Sequence, residues 1–154
     1  MANHEVDERG VRVRCPQCDK PNRLPFAKLG EGGRCGQCGA SLAGALDQPA
    51  DVLDERAFDA LLRESALPVL VDYWAPWCGP CRMVAPELEK VARRSAGRFL
   101  VAKVDTQRLA RVGARMAVQS IPTMAVYQHG RELERSSGAR PAAQIEAFVT
   151  HAIR

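Results

Sequence analysis

Six cysteines fall into three pairs, Cys15/Cys18, Cys35/Cys38 and Cys78/Cys81, each pair separated by two residues. At that spacing two thiols can close a small ring on oxidation or hold a metal ion as thiolates. The surroundings divide the three pairs into two kinds. Cys78 and Cys81 end the run Val69 to Arg82, in which a six-residue strand-like stretch holding one acid, Asp72, passes through Ala75-Pro76-Trp77 into a helical pattern. Gly79 and Pro80 shape the turn between the two thiols, and Pro80 suits the first turn of a helix, where its missing N–H is no loss. A helix beginning near Cys78 points its unpaired N–H groups and positive dipole end at that sulfur, which favours the thiolate. The thiolate is the attacking species in thiol–disulfide exchange. Cys78 is therefore read as the nucleophile and Cys81, one turn further in and more buried, as the thiol that resolves the mixed disulfide.

The other two pairs carry a different signal. Cys15-Pro16-Gln17-Cys18 and Cys35-Gly36-Gln37-Cys38 are separated by sixteen residues, within the spacing of a four-thiolate zinc site. Each tight turn lets backbone N–H groups point at sulfur, and two such turns supply the tetrahedral set for one Zn²⁺. Two disulfides or an iron–sulfur cluster are the alternatives. The stretch resembles a zinc ribbon. Between the pairs the apolar residues are chiefly Leu24, Phe26 and Leu29, too few to hold a fold unaided, so the segment is expected to be disordered without metal. With four cysteines present, His4 is expected at the solvent surface rather than on the metal.

Zinc-bound thiolates remain oxidisable, and Arg14, Lys20, Arg23 and Arg34 lie close by in sequence. A second reading of the zinc follows: oxidation releases the metal, unfolds residues 11–42 and alters access to Cys78.

The elements that must position the Cys78 pair are legible as well. Asp54 is a candidate N-cap for a helix over about 55–65, with Phe58, Leu61 and Leu62 on one face. The near-continuous apolar run of Val69-Leu70-Val71-Asp72-Tyr73-Trp74 suits a parallel strand covered on both faces. After Cys81 a helix carries Met83, Val84, Leu88, Val91 and Ala92 as an apolar stripe, with a kink expected at Pro86. A strand over 99–105, a helical piece around 107–114, a strand over 123–127, a turn at His129-Gly130, a strand near 132–136 and a helix over about 141–151 complete the pattern. Ile145, Phe148 and Val149 face inward on that last helix. Alternating strands and helices with a late hairpin define an α/β fold, a mixed sheet with helices on both faces.

The residues Trp77-Cys78-Gly79-Pro80-Cys81, preceded by Val71-Asp72-Tyr73-Trp74-Ala75 and followed by Ala102-Lys103-Val104-Asp105, Ile121-Pro122-Thr123, Gly130 and Gly138, resemble the thioredoxin family. The likeness covers about 100 of the 154 residues. It implies the thioredoxin fold, with the preceding segment corresponding to the zinc-ribbon module that some members carry. Chain organisation is then a zinc-binding ribbon over 1–42 with a loose start, a linker over 43–50 and a thioredoxin domain over 51–154.

Three further positions carry chemistry. An acid in the middle of an apolar strand, Asp72 is expected to have a raised pKa and to exchange protons near neutrality. The resemblance assigns it the deprotonation of Cys81. Lys103 matches a lysine that the family keeps near that acid, though it could equally be a surface lysine. Pro122 resembles the family's cis-proline beside the disulfide, which would present the backbone of Ile121 to a substrate strand. The substrate surface implied comprises Trp77, Gly79, Pro80, Ile121, Pro122 and Gly138, with Ala75, Pro76 and Ala139 around them, while Tyr73 and Trp74 are packing residues.

Composition narrows the partners. A net charge of +4 with acids and bases interspersed argues against a nucleic-acid stripe. No stretch approaches 18 apolar residues, and the first ten residues have no apolar core of the signal-peptide kind. A monomeric cytosolic protein is expected, with no membrane partner, no nucleic acid and no bound organic cofactor. The resemblance implies reduction of disulfide-containing protein substrates and re-reduction by thioredoxin reductase at the expense of NADPH. An oxidant or isomerase on the same fold is one alternative, disfavoured by Gly-Pro between the cysteines. A zinc-ribbon binding protein with secondary redox activity is the other.

Overall fold

In the computed structural model, residues 4–153 are described. The sheet has eight strands in the order β3-β2-β1-β4-β6-β5-β7-β8, formed by β1 His4–Asp7, β2 Gly10–Arg14, β3 Pro21–Pro25, β4 Ala50–Val52, β5 Val69–Trp74, β6 Leu100–Asp105, β7 Thr123–Gln128 and β8 Arg131–Ser137. Among the described residues four α-helices accompany them: α1 Glu55–Glu64, α2 Gly79–Ser95, α3 Ala110–Arg115 and α4 Ala142–Ala152. In the centre β5 pairs parallel with β6 and antiparallel with β7. The mixed sheet agrees with the expected fold class.

Alternation along β5 sorts its side chains. Leu70 joins Val84, Leu88 and Val91 of α2 and Ile145 and Val149 of α4 in one apolar layer. Val69, Val71 and Tyr73 belong to the opposite layer, with Phe58 and Leu61 of α1. Asp72, two residues from Leu70, therefore lies on the α2 face of β5. Asp54 caps α1 as expected, its Oδ1 accepting from Ala57 N at 2.8 Å. The helix expected around 107–114 begins later, because the Asp105 carboxylate accepts from the N–H groups of Gln107 and Arg108 and holds 106–109 as a turn.

The first part of the chain differs from expectation in three ways. Residues 4–7, read as loose, form β1, which pairs antiparallel with β2 and parallel with β4 and so joins the ribbon to the main sheet. Val6 is fully buried, yet one apolar residue in four gives no period-two signal. His4, expected at the surface, is buried with Nε2 3.4 Å from Asp47 Oδ1. The stretch read as a 43–50 linker buries Ala45 and Leu46, and its last residue opens β4. Val6, Val11, Val13, Phe26 and Leu29 thus share one continuous apolar layer with Val71 and Tyr73.

A fourth correction concerns α2. Met83, read as part of the inward stripe, is 72% exposed. Cys81 begins the buried face, and Val84, Leu88, Val91 and Ala92 follow it at helical spacing, leaving Met83 on the outer side. The helix runs through Pro86 over 17 residues.

Candidate active site and metal centre

The end of β5 delivers the chain into the redox pair. Cys78 is the N-cap of α2, with Pro80 in the helix's first turn, and the Cys81 N–H donates to Cys78 Sγ at 3.2 Å. Cys78 and Cys81 are joined as a disulfide, their Cα atoms 5.3 Å apart. In this oxidised state the two are almost equally covered, at 4% and 3% exposed. What distinguishes Cys78 is its position: it ends the helix and faces the loop that carries Ile121, whose carbonyl oxygen lies 3.8 Å from its sulfur.

The Ile121–Pro122 peptide bond is cis, and the Pro122 carbonyl accepts from Gly138 N at 2.9 Å. Trp77 stands beside the pair with 67% of its surface exposed. Gly79, Pro80 and Gly138 are exposed as well. Trp77, Gly79 and Pro80 thus flank Cys78 along the chain, Ile121 lies against its sulfur, and Gly138 is tied to Pro122 next in the chain.

On the α2 face of β5, Asp72 is 1% exposed and its Oδ1 has no hydrogen-bond partner. Burial pushes its pKa up to about 7, and the nearby Lys103 ammonium pulls the other way. Asp72 and Lys103 are register partners on β5 and β6. Lys103 is half-buried, with Nζ 4.5 Å from the centre of the Trp74 ring. A buried carboxyl that titrates near neutral pH can accept and return a proton.

At the turn between β2 and β3 the four remaining cysteines converge. The sulfurs of Cys15, Cys18, Cys35 and Cys38 all lie within 4.8 Å of one another. Cys15 Sγ is 3.6 Å from Cys38 Sγ, and Cys18 Sγ is 3.6 Å from Cys35 Sγ. A disulfide needs about 2.05 Å, whereas thiolates about 2.3 Å from a tetrahedral Zn²⁺ sit about 3.8 Å apart. The donor set fits zinc. Gln17 N and Gln37 N donate to Cys15 Sγ and Cys35 Sγ at 3.3 and 3.4 Å, as the tight turns required. The Cys38 backbone N–H and the Asn22 amide bring the Cys35 thiol down to about 6.

Asn22 was not legible in the sequence. Its Nδ2 donates to Cys35 Sγ at 3.5 Å and its Oδ1 accepts from Gly36 N at 3.0 Å, so it ties β3 to the second cysteine turn. A polar residue in a polar connection gave no cue. Of the basic residues expected near the sulfurs, Arg14 and Arg23 are matched by carboxylates, Asp19 at 3.5 Å and Asp7 at 2.7 Å.

A dithiol at the N-terminus of a helix, packed against a cis X–Pro loop on a mixed sheet, defines a thiol–disulfide oxidoreductase. The family profile described as Thioredoxin matches residues 49–151, and a zinc-ribbon profile described as "Thioredoxin 2, N-terminal" matches residues 14–40. Thioredoxin C-3 of Corynebacterium nephridii is 37% identical over 135 residues, 88% of this chain and 90% of that protein. Thioredoxin 1 of Chlorobaculum tepidum is 41% identical over 98 residues, 64% of this chain and 97% of that protein. Among solved structures, a point mutant of the thioredoxin from Halobacterium salinarum NRC-1 superposes with a TM-score of 0.64 at 25% identity, covering 71% of this chain and 94% of that one. The chain belongs to the thioredoxin family and is a protein-disulfide reductase of that type. No helix among the described residues is long and apolar enough to cross a membrane.

Proposed function

We propose that this protein works in the reducing direction, with Cys78 as nucleophile and Cys81 as resolving thiol, and with zinc closing the N-terminal ribbon. The observation that carries the reading is Cys78 as N-cap of α2, 3.8 Å from the Ile121 carbonyl and on the same side of the sheet as buried Asp72. In the reduced protein the Cys78 thiolate attacks one sulfur of a substrate disulfide, forming a mixed disulfide and releasing one substrate thiolate, which takes a proton from water. Asp72 accepts the proton of Cys81, and the Cys81 thiolate attacks Cys78 Sγ. The second substrate sulfur leaves as a thiolate and takes up the proton that Asp72 returns, so that the dithiol has been oxidised by two electrons and the substrate disulfide reduced by two. Ile121 offers its main chain to an extended substrate segment, with Trp77 and Gly138 as part of the surface it lies on. Lys103 restrains the rise in the Asp72 pKa.

Re-reduction falls to thioredoxin reductase and NADPH, and the protein acts as a monomer in the cytoplasm. One Zn²⁺ per chain, held by Cys15, Cys18, Cys35 and Cys38, would supply four bonds to a segment with little core of its own. A structural zinc is favoured over a redox-sensing one because Cys15 and Cys35 are buried and pack into the same apolar layer as Val71 and Tyr73.

Equilibration with a glutathione buffer tests the direction of flow. A pair that stays oxidised unless reduced glutathione is in large excess is the expected reductant. A pair already reduced at equal concentrations of the two glutathione forms would make the protein an oxidant or isomerase.

A further inference from the structure

Strand β8 holds the loop that brings Ile121 to the redox pair, and it does so at two places. The loop runs from Met116, which ends α3, to Pro122. Together with the end of α3 it builds one wall of a groove of about 360 Å³ beside Trp77, lined on that side by Gly113, Ala114, Val118, Gln119, Ser120 and Ile121. At the loop's exit Gly138 N donates to the Pro122 carbonyl at 2.9 Å, and the Ser137 and Thr123 hydroxyls lie 3.1 Å apart. At its entrance stands Arg135. Its Nη2 donates to the Met116 carbonyl at 2.8 Å and its Nη1 to the Ala117 carbonyl at 3.2 Å, reaching 19 and 18 residues back along the chain.

The register of β8 explains why Arg135 can reach them. In a regular strand, residues three apart point to opposite faces. β8 carries a bulge against β7: Tyr127 pairs with Glu132 and Val126 with Glu134, leaving Leu133 as an extra residue. Glu132 and Arg135, opposite Tyr127 and Ala125, therefore share a face of the sheet, the one whose apolar layer includes Val112 of α3. Glu132 orients the guanidinium by accepting from Nε at 2.9 Å and from Nη2 at 2.8 Å. Ala117, with φ of 55°, stands in the left-handed region that residues with a Cβ seldom adopt. A planar fork fixed by a carboxylate is suited to hold two successive carbonyls at such a helix end.

We propose that Arg135 is a positioning residue for disulfide reduction: by gripping the Met116 and Ala117 carbonyls it fixes the loop that presents the Ile121 main chain to a substrate segment. Arg135 itself is not part of the groove lining and acts through the loop. The inference rests on the reading of Ile121 as the substrate's main-chain partner.

The test compares two disulfides reduced by the reduced full-length protein. One is a disulfide-linked peptide dimer, which has a backbone to lay against Ile121; the other is hydroxyethyl disulfide, which has none. Arg135→Ala should slow reduction of the peptide roughly tenfold relative to the small disulfide. Arg135→Lys, able to hold one carbonyl but not both together with the carboxylate, should fall between that variant and the parent. A merely structural role would lower the amount of folded protein and both rates alike, and an unmoved ratio would overturn the proposal. Hydrogen exchange over 116–121 then tells which part failed. Faster exchange with an unmoved ratio would bring down the Ile121 reading as well, whereas unchanged exchange would show that Arg135 does not hold the loop and leave that reading standing. If Arg135→Ala does not fold, Glu132→Gln, which loosens the guanidinium but keeps it, carries the same comparison: about a twofold drop in the ratio is expected, and no drop overturns the proposal.

Discussion

Asp72 and Lys103 stand opposite each other on adjacent parallel strands, and the lysine's ammonium rests on the Trp74 ring. The pairing keeps an ionisable acid at neutral pH in a place where burial alone would hold it protonated.

Asp72 should therefore cost stability where it is ionised. Its folded pKa of about 7 lies above the ordinary 3.8, so between these values the folded state binds more protons than the unfolded one. Stability then falls as pH rises through that window, and the cost is complete above about pH 7, on the order of 4 kcal/mol. Asp72→Asn should be more stable than the parent by roughly 2–4 kcal/mol at pH 8, with the gap closing near pH 4. Denaturant unfolding at the two pH values checks this, and a constant difference would contradict the assignment.

The same substitution should slow resolution of the mixed disulfide. Losing a positioned proton acceptor is expected to reduce turnover about a hundredfold at neutral pH, with initial attack by Cys78 less affected. Rapid-mixing kinetics that separate attack from resolution would show it.

Lys103→Met should move the Asp72 titration to higher pH, because the ammonium is the feature that pulls it down. The pH midpoint of turnover should shift to the alkaline side. No movement would leave Lys103 a packing partner of Trp74 alone.

Removal of zinc should cost more than the ribbon itself. Since β1 pairs with β4 and the ribbon shares an apolar layer with Val71 and Tyr73, chelation under reducing conditions should lower the melting temperature of the whole chain. Cys35→Ser should do the same. An unchanged melting temperature with four newly reactive thiols would show that the metal does not support the sheet.

The redox centre was legible because its residues are contiguous and each has a local physical duty: a strand, a turn, a helix start. The Cys15/Cys18 and Cys35/Cys38 set was legible because metal geometry restricts spacing. What escaped was long-range. β1 owes its place to backbone pairing with β2 and β4 and to the burial of a single apolar residue, Val6, and His4 is buried with a partner, Asp47, 43 residues away. Met83 sits at the border of an amphipathic stripe, where periodicity does not settle which way the side chain turns. Asn22 has a role set by what the fold brings beside it.

Disulfide reduction in this scheme begins with attack by one thiol, Cys78. Cys81→Ser, reduced and mixed with a disulfide-containing protein substrate, should accumulate a one-to-one mixed disulfide, and peptide mapping should find the linkage at Cys78. Linkage through the cysteines at 15, 18, 35 or 38, or no trapped complex, would contradict that assignment.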